Sequence, residues 1–246
     1  MRVQVMSKLG INKRNYQIAL ALLMSLPHIL NASPASKEYV DKQIKEVLDK
    51  VQGQLNQQRK IVDAQFTGLK HHIGEFYQGG VVFWVDESEQ HGLIVAKMDA
   101  TDGQGAPWSN GDSGDKTTNA RNNGLFAGYT NTPVIISEET IDDQEGRFAA
   151  VLASSYLVSA DGISQCDTTR TPHPPCYGDW YLPSLYELSL LHQNLTLIHV
   201  NQTLSGLYWS STESDTTQAW LVNFNNGEQR ISDKSTQAHV RAIRNF

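Results

Sequence analysis

The longest unbroken pattern in the chain runs over residues 37–76, where single apolar residues recur among charged and amide side chains. Val40, Ile44, Val47, Val51, Leu55, Val62, Phe66, Leu69 and Ile73 are spaced 4-3-4 three times over, with Gln58 filling the one polar slot. An eleven-residue repeat matches ~3.67 residues per turn and keeps a narrow seam on one helix face. Ser36 serves as N-cap, Glu38 puts an acid in the first turn, and no proline interrupts the segment. A narrow seam on a charged helix needs a partner, so 36–76 predicts a coiled-coil-type oligomerisation stalk. The competing reading is one amphipathic helix lying on its own domain. Three repeats and a near balance of seven basic against six acidic residues favour self-association, and β-branched seam residues lean towards a trimer. Gly53 and Gly68 each cost ~1 kcal/mol of helix propensity, so the stalk is expected to need association of the heads as well.

From Tyr77 the pattern changes. VVFWV (81–85) and LIVAK (93–97) are β-branched or apolar runs joined by a polar segment, a strand-turn-strand signal. Residues 99–124 are dense in Gly, Asp, Asn and Ser without apolar period and predict a long loop, a kind that tends to carry function. Residues 138–162 predict a helix ending before Gly162, with Phe148, Val151, Leu152 and Tyr156 on one face. In DWYLPSLYELSLLHQNL, Pro183 suits a first helical turn, and Leu185, Leu188, Leu191 and His192 face inward. Three strand-like runs close the chain, around GLYWSS, AWLVNFNNGEQRIS and HVRAIRNF, with NNGE as a hairpin turn.

The first 32 residues hold four basic residues and no acid, followed by a 13-residue apolar run broken by Pro27 and a small-residue exit. A spanning helix needs ~20 residues. Residues 1–35 therefore read as a secretory signal peptide rather than an anchor, and the mature protein is expected to be exported, without a transmembrane segment, to the periplasm, cell surface or medium.

The head, 77–246, carries 9 basic against 20 acidic residues, a net −11, which argues against nucleic acid as a partner. Cys166 and Cys176 are close in sequence, and in an oxidising compartment they read as one disulfide. Asp99, Asp102, Asp112 and Asp115 offer oxygen ligands of the type calcium prefers, without EF-hand spacing. Solvated loop acids are the commoner explanation, so no cofactor is expected. The histidines show no metal spacing, the cysteines are spoken for, and no nucleophile elbow occurs, so an enzyme is not expected.

Trp180, Leu182, Pro183, Ser184, Glu187 and Leu188, then Tyr208, Trp209, Ser210 and Ser211, then Ala219 and Trp220, then Val240, Arg241, Ile243 and Arg244 stand in an ordered series. The series resembles the C-terminal domain of the Legionella collagen-like adhesin, with Tyr181 replacing an arginine usual there and Ala242 a frequent cysteine. The resemblance implies an α+β chain whose mixed, C-type-lectin-like head is trimeric and binds sulfated glycosaminoglycans. Here a helical stalk stands where that adhesin has collagen repeats.

Candidate ligand residues are Arg230, Lys234, His239, Arg241 and Arg244, clustered in sequence, with Trp209 and Trp220 as a sugar-stacking platform. Core packing is the preferred reading for both indoles. One of Arg241 and Arg244 is expected to pair internally with Glu187 or Asp179. Trp180, Leu182, Pro183, Glu187, Tyr208, Ser210 and Ser211 are expected to be structural. The expected function is a trimeric, adhesin-like protein recognising host or matrix glycans. The alternative is a structural envelope or biofilm-matrix protein that binds a protein partner. The acidity of the head stands against sulfated chains.

Overall fold

The computed structural model describes residues 37–67, 70–101, 103–111, 116–167, 169, 175–200 and 204–246, and the signal-like segment 1–35 lies outside them. The chain divides into two units, Met1–Gly68 and Leu69–Phe246. In the first, α1 spans Lys37–Thr67. Ile44 and Val62, both seam positions, are exposed along it. The helix stops short of the expected 76. Ile73, placed on the seam by its spacing, belongs to the second unit, where it packs against a core of strand, helix and loop residues. Residues 70–76 turn and enter a strand instead of continuing the helix.

The second unit is mixed α+β. Its first sheet has strand order β1-β2-β3-β9, all antiparallel, from β1 Phe76–Tyr77, β2 Gly80–Val85, β3 Gly92–Ala96 and β9 Ile243–Asn245. All five residues of β3 are buried, as an unbroken apolar run predicts for a strand covered on both faces. β4 (Val158–Ser159) and β5 (Cys176–Tyr177) form a two-stranded ribbon, and the Cys166–Cys176 disulfide, Cα–Cα 5.7 Å, closes the loop beside it. A second sheet joins β6 (Leu207–Glu213), β7 (Gln218–Asn223) and β8 (Glu228–Asp233) in sequence order. β8 is a polar, exposed edge, which suits a strand with one unpaired side.

Helices α2 (Ala127–Glu139), α3 (Ala149–Ser154) and α4 (Leu185–Gln193) complete the head. α4 stands where the sequence placed a helix, but Pro183, expected in its first turn, precedes the cap. Ser184 caps it, its hydroxyl accepting the Glu187 N–H while the Glu187 carboxylate accepts the Ser184 N–H, and Leu185, Leu188 and Leu191 are buried. The expected helix over 138–162 does not form as one element. Residues 140–148 are turn and loop, α3 is short, and Gly146 sits tight against the Asn110 side chain, where a Cβ would collide. α2 has no counterpart in the sequence reading. Its buried residues Gly128, Asn131, Thr132, Ile135 and Glu139 follow helical spacing, but most are small or polar, so no apolar stripe announces it.

Reduction or double replacement of Cys166 and Cys176 by serine is expected to cost about 2–3 kcal/mol, given a separation of 10 residues. Calorimetry of the oxidised and double-serine chains would measure it.

Candidate functional site

The expected ligand residues divide sharply between interior and surface. Arg241 is wholly buried. Its Nη2 lies 2.8 Å from Asp99 Oδ1, and its Nη1 donates to the Ala96 carbonyl at 2.9 Å. The Tyr208 hydroxyl donates to Asp99 Oδ2 at 3.2 Å, and His239 Nδ1 stands 3.5 Å from the same oxygen. The His239 ring lies tilted on Tyr208, centroids 5.1 Å apart. Burial, with the Asp99 charge beside it, pushes the Tyr208 phenol up to about 12. Asp99 is thus committed inside the core, which corrects its reading as a loop calcium ligand. Asp102, Asp112 and Asp115 lie outside the described residues. Among the described residues no group of three or more His, Cys, Asp or Glu side chains could hold a metal ion.

Lys234 is likewise internal. Its Nζ donates to Glu213 Oε1 at 2.8 Å and to the carbonyls of Lys116 and Thr216, and it lies 4.6 Å from the centre of the Trp108 ring. Glu213 also accepts the N–H groups of Thr118 and Asn119, so this buried carboxylate fastens the 116–120 segment to the end of β6. Trp209 is buried, its indole N–H donating to the Ala106 carbonyl. Trp108 is buried in turn, donating to the carbonyl of Ser210. Within the stretch 99–124, expected as a functional loop, the described residues Ala106, Trp108, Thr118 and Ala120 are buried in the core. Lys234 and Arg241 are therefore corrected from ligand candidates to internal framework, and Trp209 lies in the core, the reading preferred for it over a stacking role.

The motif around α4 serves one carboxylate. Glu187 Oε1 accepts the Phe126 N–H at 2.7 Å and the Tyr181 hydroxyl at 3.2 Å, and Oε2 accepts the N–H groups of Gly128 and Ser184 at 3.1 and 2.8 Å. Phe126 and Gly128 open α2, and Ser184 opens α4, so one side chain caps two helices. Burial pushes the Glu187 carboxyl up, and its backbone donors oppose that rise. Gly128 is required here, because a Cβ would stand 2.7 Å from Glu187 Oε2. One of the two arginines pairs internally as expected, but Arg241 does so with Asp99, and among the described residues the hydrogen-bond partners of Glu187 are backbone N–H groups and hydroxyls. Leu182 and Ser184 are buried within the same framework, Pro183 accepts the Ser211 N–H on its carbonyl, and the Ser210 hydroxyl donates to the Trp220 carbonyl.

Four of the expected ligand residues keep some access to solvent. Arg230 is exposed on β8. His239, Arg244 and Trp220 are half-buried. Arg244 lies over the rings of Tyr177 and Trp180, 5.5 and 5.9 Å from their centres, and burial lowers its pKa against the pull of Asp179.

The motif blocks at 180–188, 208–211, 219–220 and 240–244 thus converge on a shared interior. Residues 153–244 match the family model described as the Lcl C-terminal domain. Over that range the chain is similar to this family. The Lcl C-terminal domain is a surface-adhesin type of domain, and no curated protein matches the chain. The matched range begins after Asp99, Ala106, Phe126 and Gly128, yet these satisfy Arg241, Trp209 and Glu187. The Lcl segment therefore completes its buried polar groups only with the residues before it, and 69–246 forms one structural unit.

Sequence reasoning missed Trp108, Glu139 and Glu213. Burial pushes the Glu139 carboxyl up, and its Oε2 accepts the Asn110 N–H. A tryptophan inside a Gly- and Asp-rich stretch is the one signal that pointed to Trp108, since loops rarely need an indole. Among the described residues no helix is long and apolar enough to cross a membrane.

Proposed function

We propose that this is an exported, adhesin-like binding protein whose Lcl-type head recognises a glycan and whose helix α1 gathers three chains. The match of residues 153–244 to the Lcl C-terminal domain carries the reading. The mixed α+β head with several small sheets supports a C-type-lectin-like arrangement, and the disulfide fits an oxidising compartment. Seam positions exposed along α1 support its association with other copies.

The charge distribution narrows the ligand. Of the nine basic residues in the head, Lys234 and Arg241 are spent on buried carboxylates, which leaves seven in a domain of net −11. Such a surface favours a neutral glycan over a sulfated one.

The test is a glycan array that includes heparin and chondroitin sulfate, run with calcium and with chelator at low and physiological salt. Light scattering on the same sample reads the oligomer. The expected result is a trimer that binds neutral glycans in both buffers with little salt dependence. A folded trimer that binds no glycan overturns the reading and leaves a structural or protein-binding knob.

A further inference from the structure

With Trp209 in the core, the aromatic surface of the head lies elsewhere. Phe126, Tyr129 and Tyr186 are exposed by 40%, 57% and 48%, high values for rings of this size. All three stand on the junction that Glu187 ties together. The Phe126 N–H bonds that carboxylate directly. Tyr129 packs edge-on against Tyr181, centroids 5.8 Å apart, and the Tyr181 hydroxyl bonds the same Glu187 oxygen. The Tyr186 N–H is held by Asn123 Oδ1 at 2.7 Å. Beneath Phe126 the half-buried Trp84 meets it edge-to-face at 6.1 Å.

We propose that Phe126, Tyr129 and Tyr186 form a stacking platform for the uncharged pyranose rings of a neutral saccharide. The proposal rests on the glycan-binding reading and gives it a site.

Three observations carry it. First, Phe126 has φ 61, a left-handed conformation that a bulky side chain adopts at a cost. Its ring is not buried enough to repay that cost through the core, and backbone strain held without a packing return is a mark of functional positions. Second, the anchorage is stiff, because the loop before α2 is pinned by Glu187, by Asn131 accepting from Asn122, and by Ser184 donating to Gly124. A rigid aromatic surface loses little freedom on binding. Third, the chemistry is uncharged and amphipathic. Two of the three rings are tyrosines, and the neighbouring polar side chains are Asn122, Asn123 and Thr130. Aromatic faces suit the C–H side of a sugar ring, and hydroxyl and amide groups suit its hydroxyls. A sulfated ring would find no cation among these residues and would meet the overall acidity of the head.

The experiment uses the full chain with its disulfide formed. Saturation-transfer NMR and titration are run against maltohexaose, cellohexaose, chitohexaose and mannohexaose, with heparin as the sulfated comparison. The parent chain is expected to bind at least one neutral hexasaccharide. Tyr129→Ala with Tyr186→Ala is expected to weaken that binding on the order of tenfold, the scale for losing a stacked ring or more. Phe126→Gly separates function from folding. Glycine accepts the positive φ without strain, so the melting temperature should hold or rise while binding still weakens. Arg230→Ala, on the β8 edge, should leave neutral-sugar binding unchanged. Neutral-sugar binding that survives both aromatic variants overturns the platform and leaves the glycan reading intact. So does a parent chain that binds heparin alone. A parent chain that binds none of the five overturns both.

Discussion

Arg241→Ala is expected to destabilise the head more than any surface substitution. The guanidinium is a cation 2.8 Å from the buried Asp99, whose carboxylate also meets the Tyr208 hydroxyl and, at greater distance, the His239 ring. Breaking a buried pair by removing one partner costs about 3–5 kcal/mol, chiefly because the other charge stays behind in a poorly solvating interior. For a domain of this size each kcal/mol moves the melting temperature by about 2–4 °C, so a drop of about 6–20 °C is expected. Calorimetry on the oxidised chain measures it. Removing both charges together, with Arg241→Met and Asp99→Asn, should restore a large part of the loss, because no uncompensated charge then remains. A single Arg241→Ala variant melting within a degree or two of the parent would show that the pair is not what holds this interior. A binding assay built on Arg241→Ala would therefore report unfolding, whereas exposed Arg230 offers a cation whose removal leaves the framework alone.

Glu187→Gln should be nearly as damaging although it changes a single atom. Both carboxylate oxygens are acceptors, one for Phe126 and Tyr181, the other for Gly128 and Ser184. Whichever way the new amide turns, its NH2 group faces at least one backbone N–H in a dry site. Leaving buried donors unmatched costs about 1–3 kcal/mol each, so a loss of about 3 kcal/mol is expected, read from the shift in denaturant midpoint. The pH dependence gives a second reading. Burial raises the folded-state pKa of Glu187 above its unfolded value, so the folded state binds the proton more tightly. The stability tied to that proton is present in full below the unfolded pKa and is lost as pH rises through the folded one. Glutamine has no such proton, so the gap between parent and variant should narrow between pH 4 and pH 7. A gap that widens over that range would show that the N–H donors, not burial, set the carboxyl's pKa.

What could be read in the sequence was what local pattern writes. The runs at 81–85 and 93–97, the capped helix after Ser184 and the hairpin around Asn225–Gly227 each depend on neighbours a few residues away, and each is found as β2, β3, α4 and the β7–β8 turn. The Cys166–Cys176 bridge is present as expected. What could not be read depends on partners far along the chain. α2 takes its cap from Glu187, some 60 residues later, and its own N-cap Phe126 supplies no side-chain hydrogen bond. Lys234 looked like a surface cation because most lysines are exposed, and of Arg241 and Arg244 the pattern said that one pairs internally without saying which. The available warning was that Arg241 stands within the apolar run Val240, Ala242, Ile243, where a lone charge needs an internal partner. The eleven-residue spacing carried the stalk as far as Ile73 because spacing alone cannot tell a seam residue from a core residue of the next unit.

The pairing of Asp99 with Arg241 also sets an order of events for the newborn chain. The aspartate is made early in the head and its cation late in it, while β9 closes onto β3. Glu187 imposes the same delay on α2, and Glu213 on the segment from 116 to 120. Long loops must therefore close before their contacts stabilise anything, which slows folding and leaves little for an N-terminal fragment to fold around. A chain in which Arg241 has yet to emerge holds a head that cannot lock. Such a polypeptide stays pliant until that residue arrives, which is the condition a chain must keep if it is to be threaded through a narrow pore before it folds.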